Sequence, residues 1–144
     1  MVRIELTVHV RRPRAEVFAY LADPGNLPEW QSGAVEATAD GPIAVGTKIS
    51  EVHKFLGRRI ESTFEVTEFE PHSKFSLQTL SGPMMLQVHY ALTEGDGTVL
   101  TFVLEGEPGG FFKLAEPLVT RQAERQFKSD LETLKDLLEA QPSD

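Results

Sequence analysis

The chain has 144 residues, with 14 basic side chains against 22 acidic ones, a formal charge of −8, and no cysteine. That length suits one domain, 1–144, and 40% hydrophobic residues are enough for a core without covalent staples. The lack of cysteine excludes a disulfide framework, a thiolate zinc site and a cysteine nucleophile, the acidity speaks against nucleic acid as a partner, and no apolar run approaches a bilayer span. The expectation is a soluble, cytoplasmic protein without a membrane span, a metal or a cofactor. Ile4, Leu6, Val8 and Val10 alternate with polar residues, which predicts a half-buried first strand. Pro13 suits a helix start, and Val17, Phe18 and Leu21 follow at helical spacing. That helix should end at Asp23, because Pro24 disfavours the helical backbone before it. Asn26 to Gln31 can form one more short turn carrying Trp30.

Turn residues then recur at strand-length intervals: Gly41-Pro42, Gly46, Gly57, Glu70-Pro71, Gly82-Pro83 and Gly95-Asp96-Gly97. They predict six strands, near 33–40, 46–56, 58–69, 73–81, 84–93 and 97–106. Connections this short permit only antiparallel neighbours. After Glu107-Pro108-Gly109-Gly110 the period becomes helical: Ala123, Phe127, Leu131, Leu134 and Leu138 form one apolar stripe. Pro117 reads as a kink between a short segment at 111–116 and the long helix. The pattern is α+β: a seven-stranded curved antiparallel sheet gripping a long C-terminal helix, with two short helices between the first and second strands.

These residues also carry a resemblance. The chain is similar to the START-like helix-grip superfamily, in particular to its polyketide cyclase/dehydrase-type (SRPBCC) proteins, over essentially its whole length. The similarity rests on Val10-Arg11-Arg12-Pro13, Glu16-Val17-Phe18 and Asp23-Pro24-Gly25-Asn26-Leu27-Pro28-Glu29-Trp30. It continues through Val45-Gly46-Thr47, Val66-Thr67-Glu68-Phe69-Glu70-Pro71, Gly97-Thr98 and Leu134-Lys135-Asp136-Leu137-Leu138-Glu139. It implies a deep apolar cavity between sheet and C-terminal helix. Members of this kind bind sterols, lipids, quinones or polyketides, and some catalyse cyclisation or dehydration.

Strand parity assigns side chains to that cavity. Ile60, Ser62, Phe64 and Val66 share one face, then Phe75, Leu77 and Thr79, then Met84, Leu86, Val88, Tyr90 and Leu92, then Thr98, Leu100, Phe102 and Leu104. Most of these need only be core. Ser62, Thr79 and Tyr90, being polar, are candidates for orienting a ligand. In the strand 46–56, Lys48, Ser50 and Lys54 favour water, which turns Ile49, Glu51, His53 and Phe55 inward, although Val52 argues for the opposite parity. A carboxylate beside an imidazole in an apolar cavity suits proton transfer, so Glu51, His53 and Tyr90 are the catalytic candidates. The alternative is a solvated outer face, or a buried pair that satisfies only itself.

Trp30 is either core or a lid over the pocket mouth, and Phe112, with Phe111, supplies apolar cover beyond the Gly109-Gly110 hinge. His9, His72 and His89 are scattered, and Arg11, Arg12 and Arg14 read as a solvated corner. No metal-ligand spacing, Gly-x-Ser-x-Gly elbow or phosphate loop is present in the sequence. The expectation is a pocket of a few hundred Å³ that takes a small apolar molecule such as a lipid, quinone or polyketide-like aromatic, in a monomer or weak homodimer. A cyclase/dehydrase-type enzyme and a protein-interaction module are the alternatives.

Overall fold

The computed structural model describes residues 2–108, 113 and 116–141. Seven strands form one antiparallel sheet: β1 (Val2–Val10), β2 (Ala34–Ala39), β3 (Lys48–Phe55), β4 (Arg58–Glu70), β5 (Lys74–Ser81), β6 (Met84–Glu94) and β7 (Thr98–Pro108), in the spatial order β1-β7-β6-β5-β4-β3-β2. The first strand therefore closes against the last, with Val2 opposite Gly106 and Val10 opposite Thr98. Two short helices, α1 (Arg14–Leu21) and α2 (Leu27–Trp30), separated by a 3₁₀ turn at Pro24–Asn26, lie between β1 and β2. A long helix, α3 (Glu116–Glu139), follows the sheet. This is the helix-grip fold, as the alternation, turn spacing and terminal stripe predict.

The local reasons are the expected ones, with two corrections. Pro13 sits just before α1 as its cap residue, and α1 buries Val17, Phe18 and Leu21. Beyond α1, Asp23 accepts a hydrogen bond from the Gly25 amide at 2.9 Å, which sets the turn into α2. Leu56 and Gly57, both with positive φ (51° and 76°), make the two-residue connection from β3 to β4. Gly97 is required by close approach: a Cβ there would lie 2.5 Å from the Val10 carbonyl oxygen. A bulge between Val66 and Glu68 shifts the end of β4, so that Phe69 rather than Glu68 faces inward beside Phe75.

Pro117 is the second residue of α3, in a first turn that has no internal partner for its amide, and the kink expected there adjoins residues 114 and 115, which lie outside the described residues. Of the anticipated segment at 111–116, together with the hinge glycines 109 and 110, only Lys113 and Glu116 belong to the described residues. At 24 residues α3 spans about 36 Å, short enough to lie along the sheet.

The first correction concerns Arg12, which is half-buried rather than part of a solvated corner. Its guanidinium donates to the carbonyls of Leu138 (3.0 Å), Glu139 (3.2 Å) and Gln141, meeting the unpaired carbonyls and negative end of α3. The second concerns Val52, which is 7% exposed on the face opposite Glu51, so both parities of β3 carry a buried residue.

The core has two parts. The larger runs from Val10, Val17 and Trp30 through Phe64, Tyr90, Leu100 and Phe102 to Leu131, Leu134 and Leu138. The smaller consists of Ile60 and Val119 with Phe55, Leu56 and Met84 packed around them. Among the described residues no helix is long and apolar enough to cross a membrane.

Candidate functional site

Between these two apolar clusters lies a cavity of about 140 Å³. It is smaller than the few hundred Å³ expected, because Phe64, Phe102 and Phe127 occupy much of the space between sheet and helix. Its walls come from the concave face of β3 to β7, from α2 and the turn before it, and from Val119, Ala123, Gln126 and Phe127 of α3.

Aromatic rings run along the concave face in one line. Phe75 and Tyr90 are register partners on β5 and β6 with stacked rings 6.1 Å apart; Tyr90 and Phe102 are partners on β6 and β7 at 5.4 Å; Phe102 meets Phe127 of α3 at 5.0 Å. Such contacts fix ring orientation as well as burying area. One wall of the cavity is therefore rigid and aromatic.

The polar end is built by β3. Glu51 is 9% exposed and His53 half-buried; both line the cavity, and the Nε2–H of His53 donates to Glu51 Oε1 over 2.7 Å. Lys48, Ser50 and Lys54 are exposed, as their preference for water requires, though Lys54 also touches the rim. Ser62 is directly opposite Glu51 on β4 and lines the same space. Tyr90, 5% exposed, has its pKa raised first by burial and then by the nearby charges of Glu51 and Asp130.

Of the other predicted residues, Trp30, Phe55, Phe64, Met84 and Phe102 also line the cavity. Trp30 is only 2% exposed, which makes it wall rather than lid. Thr79 is a correction: it is buried away from the cavity, where its hydroxyl accepts from the Leu86 amide (2.9 Å) and donates to the Leu86 carbonyl (3.3 Å). These bonds hold β5 to β6 beyond Gln78–Gln87, the last pair of their ladder. Phe112 lies outside the described residues.

Three polar residues near the cavity carry no role in the sequence reading. Gln31 (7% exposed) and Gln126 line it. Asp130, 2% exposed, accepts from both the amide and the hydroxyl of Ser32 at Oδ1 (3.0 and 2.9 Å), while Oδ2 has no hydrogen-bond partner among the described residues. Burial pushes its carboxyl above the ordinary range, opposed by the two Ser32 bonds and by the nearby His53. The signal was available: Asp130 lies three residues after Phe127 and four before Leu134, on the apolar stripe itself.

The other histidines are engaged elsewhere. His9 donates from Nε2 to the carbonyls of Gly95 (2.8 Å) and Asp96 (2.7 Å), and His89 meets the Ser76 hydroxyl at 2.9 Å. Among the described residues no three metal-ligating side chains converge.

A seven-stranded sheet gripping a terminal helix around an apolar cavity defines a START-like protein. The sequence pattern of the polyketide cyclase/dehydrase and lipid transport family matches residues 1–139, and the chain belongs to that family. Solved structures of the same fold include TTHA0849 from Thermus thermophilus, 17% identical, covering 98% of this chain and 99% of that one with a TM-score of 0.84. A START superfamily protein from Mycobacterium smegmatis is 14% identical over 95% and 97% of the two chains, with a TM-score of 0.81. The di-domain ARO/CYC BexL from the BE-7585A biosynthetic pathway is 15% identical, with a TM-score of 0.79 over 97% of this chain and 50% of that one. No curated protein matches the chain in sequence.

Proposed function

We propose that this chain binds a small, mostly apolar molecule in the cavity between sheet and α3, working as one domain around that space. The observation that supports this most strongly is the cavity itself: about 140 Å³, walled by aromatic and aliphatic side chains and polar at the β3 end. Apolar cavities of this size have room for one benzene-sized ring. A larger ligand, whether lipid, quinone or polyketide-like, would bury one ring or chain end here and extend past Lys54 and Phe55 at the rim. Membership of a family described by both cyclisation and lipid transport agrees with a ligand of that kind.

Native mass spectrometry of freshly purified protein tests the proposal. A co-purifying apolar molecule that is lost in an Ala123→Phe variant, where the added ring fills the cavity, is the expected result. Identical mass profiles for the two proteins, with no bound molecule and no uptake from a lipid and quinone extract, would refute it.

A second reading, acid–base catalysis on the bound molecule, is favoured by the 2.7 Å contact between His53 and Glu51 in the cavity wall. With Nε2–H directed to the carboxylate, His53 keeps Nδ1 to accept a proton, and Glu51 holds the ring in place. In this reading His53→Ala abolishes turnover of a polyketide-like substrate while leaving most of its binding intact. If His53→Ala lowers binding and no substrate is converted by either protein, the pair is a binding element only.

A further inference from the structure

Four side chains at the cavity are at least nine-tenths buried and still have hydrogen-bonding capacity to spare, among them Trp30, whose indole N–H has no partner among the described residues. Tyr90 lines the cavity, and its hydroxyl has no partner among the described residues. Glu51 gives Oε1 to His53, and its second oxygen has no partner among the described residues. The carboxamide of Gln31 is likewise unpaired among the described residues. Buried polar groups without partners are rare in folded proteins, so groups left open onto a cavity point to a ligand or an ordered water.

The charges restrict what that ligand can be. Glu51 is the carboxylate of the wall, and Asp130 stands close enough behind it to act on both Tyr90 and His53. Among the described residues the one lysine at the cavity, Lys54, is exposed at its rim, and no arginine lines it. A ligand carboxylate would thus be desolvated against like charge, and the imidazole on the wall, His53, is already engaged by Glu51. The same surroundings disfavour a negative Tyr90, and for the same reason: burial first, then the two acidic neighbours.

We propose that the cavity selects a neutral ring bearing a hydroxyl group and rejects the corresponding carboxylate, with Glu51 accepting from the ligand hydroxyl and Tyr90 as its second hydrogen-bond partner. The inference rests on the binding role proposed above and names the chemical class that fits it. A hydroxyl can donate to Glu51 and accept from Tyr90 at once; a methyl group leaves both unsatisfied, and a carboxylate can satisfy only the second. Phenols and neutral hydroxylated ring systems are the matching class, and fatty acids and other acids are excluded.

Three probes of one shape test this: p-cresol, p-xylene and 4-methylbenzoate, which place hydroxyl, methyl or carboxylate on the same ring. Trp30 is the only tryptophan of the chain and lines the cavity, so one indole N–H resonance reports all three titrations at neutral pH. The expected result is that p-cresol binds about tenfold more tightly than p-xylene, the ratio one buried hydrogen bond supplies. 4-Methylbenzoate should leave the resonance unmoved at concentrations where p-cresol saturates it. Tyr90→Phe and Glu51→Gln should each bring p-cresol to within about threefold of p-xylene without weakening p-xylene, and Glu51→Gln should also admit 4-methylbenzoate. Equal binding of p-cresol and p-xylene to the unaltered protein, or tightest binding of 4-methylbenzoate, would overturn the selection while leaving a ligand cavity in place. No response to any of the three would instead overturn the binding role itself. Should Glu51→Gln fail to fold, Tyr90→Phe alone decides, since it removes one oxygen and keeps the ring.

Discussion

The two ends of α3 face different interiors. Its C-terminal half places Leu131, Leu134 and Leu138 against the main core, all at 3% exposure or less, and Arg12 fastens the helix end to the start of α1. Its N-terminal half places Val119, Ala123 and Phe127 over the cavity, and the small cluster of Ile60 and Val119 stands apart from the main core. One helix thus anchors the fold at one end and roofs a cavity at the other. Stability and ligand binding should therefore respond to different substitutions on the same element.

The largest effect should come from the anchored end. Leu134→Ala removes a fully buried side chain where neighbours are held by the sheet, and should cost about 3 kcal/mol in urea unfolding while leaving ligand affinity nearly unchanged. An equal loss of affinity would break the division between the two ends. Next comes the polar wall: His53→Ala strips the partner from a carboxylate that is 9% exposed and should destabilise by about 1–2 kcal/mol. His53→Gln, which can still donate to Glu51, should recover part of that loss.

Thr79→Val should cost about 1 kcal/mol by cutting the side-chain link to the Leu86 backbone, and should leave p-cresol affinity within about twofold. Affinity falling with stability here would mean that the β5–β6 edge belongs to the site after all. Ala123→Leu should do the reverse, changing stability by no more than about 1 kcal/mol while weakening any ring-sized ligand at least about tenfold.

The subtlest expected effect is a slope. The carboxyl of Asp130 is held above its ordinary value by burial, so the folded state keeps that proton longer than the unfolded chain does. Its contribution to stability is fully present below the ordinary carboxylate range, near pH 4, and is lost as pH rises through the raised value. Unfolding measured from about pH 4 to 7 should thus show the unaltered protein losing stability relative to Asp130→Asn. A constant difference between the two would mean that Asp130 titrates alike in both states.

What was legible in the chain follows from the range of each interaction. Alternation and turn residues are local, so all seven strands and the terminal helix could be read, and lysines at positions 48 and 54 were enough to assign the inward parity of Glu51 and His53 on β3. Val52 blurred that parity because the outer face of β3 also buries a residue, and one strand cannot announce both. Thr79 had the right parity and the wrong neighbours: its hydroxyl is taken by a backbone that parity does not describe. Arg12 meets residues more than a hundred positions away, so its role as a helix cap emerges only once β1 and α3 are packed. The size of the cavity depends on how Phe64, Phe102 and Phe127 interlock, which no pattern of polar and apolar letters encodes. Asp130 was the one legible signal passed over, an acid on an otherwise apolar stripe.

If the space under the N-terminal half of α3 takes up ligands, it must be an apolar cavity that a small apolar atom can enter. Crystals pressurised with xenon test it directly, because xenon enters apolar cavities of this size and is seen by its density. The predicted result is a xenon site among Phe64, Tyr90, Phe102 and Phe127, absent in Ala123→Phe. Unaltered protein whose side chains close that space and take up no xenon would contradict it.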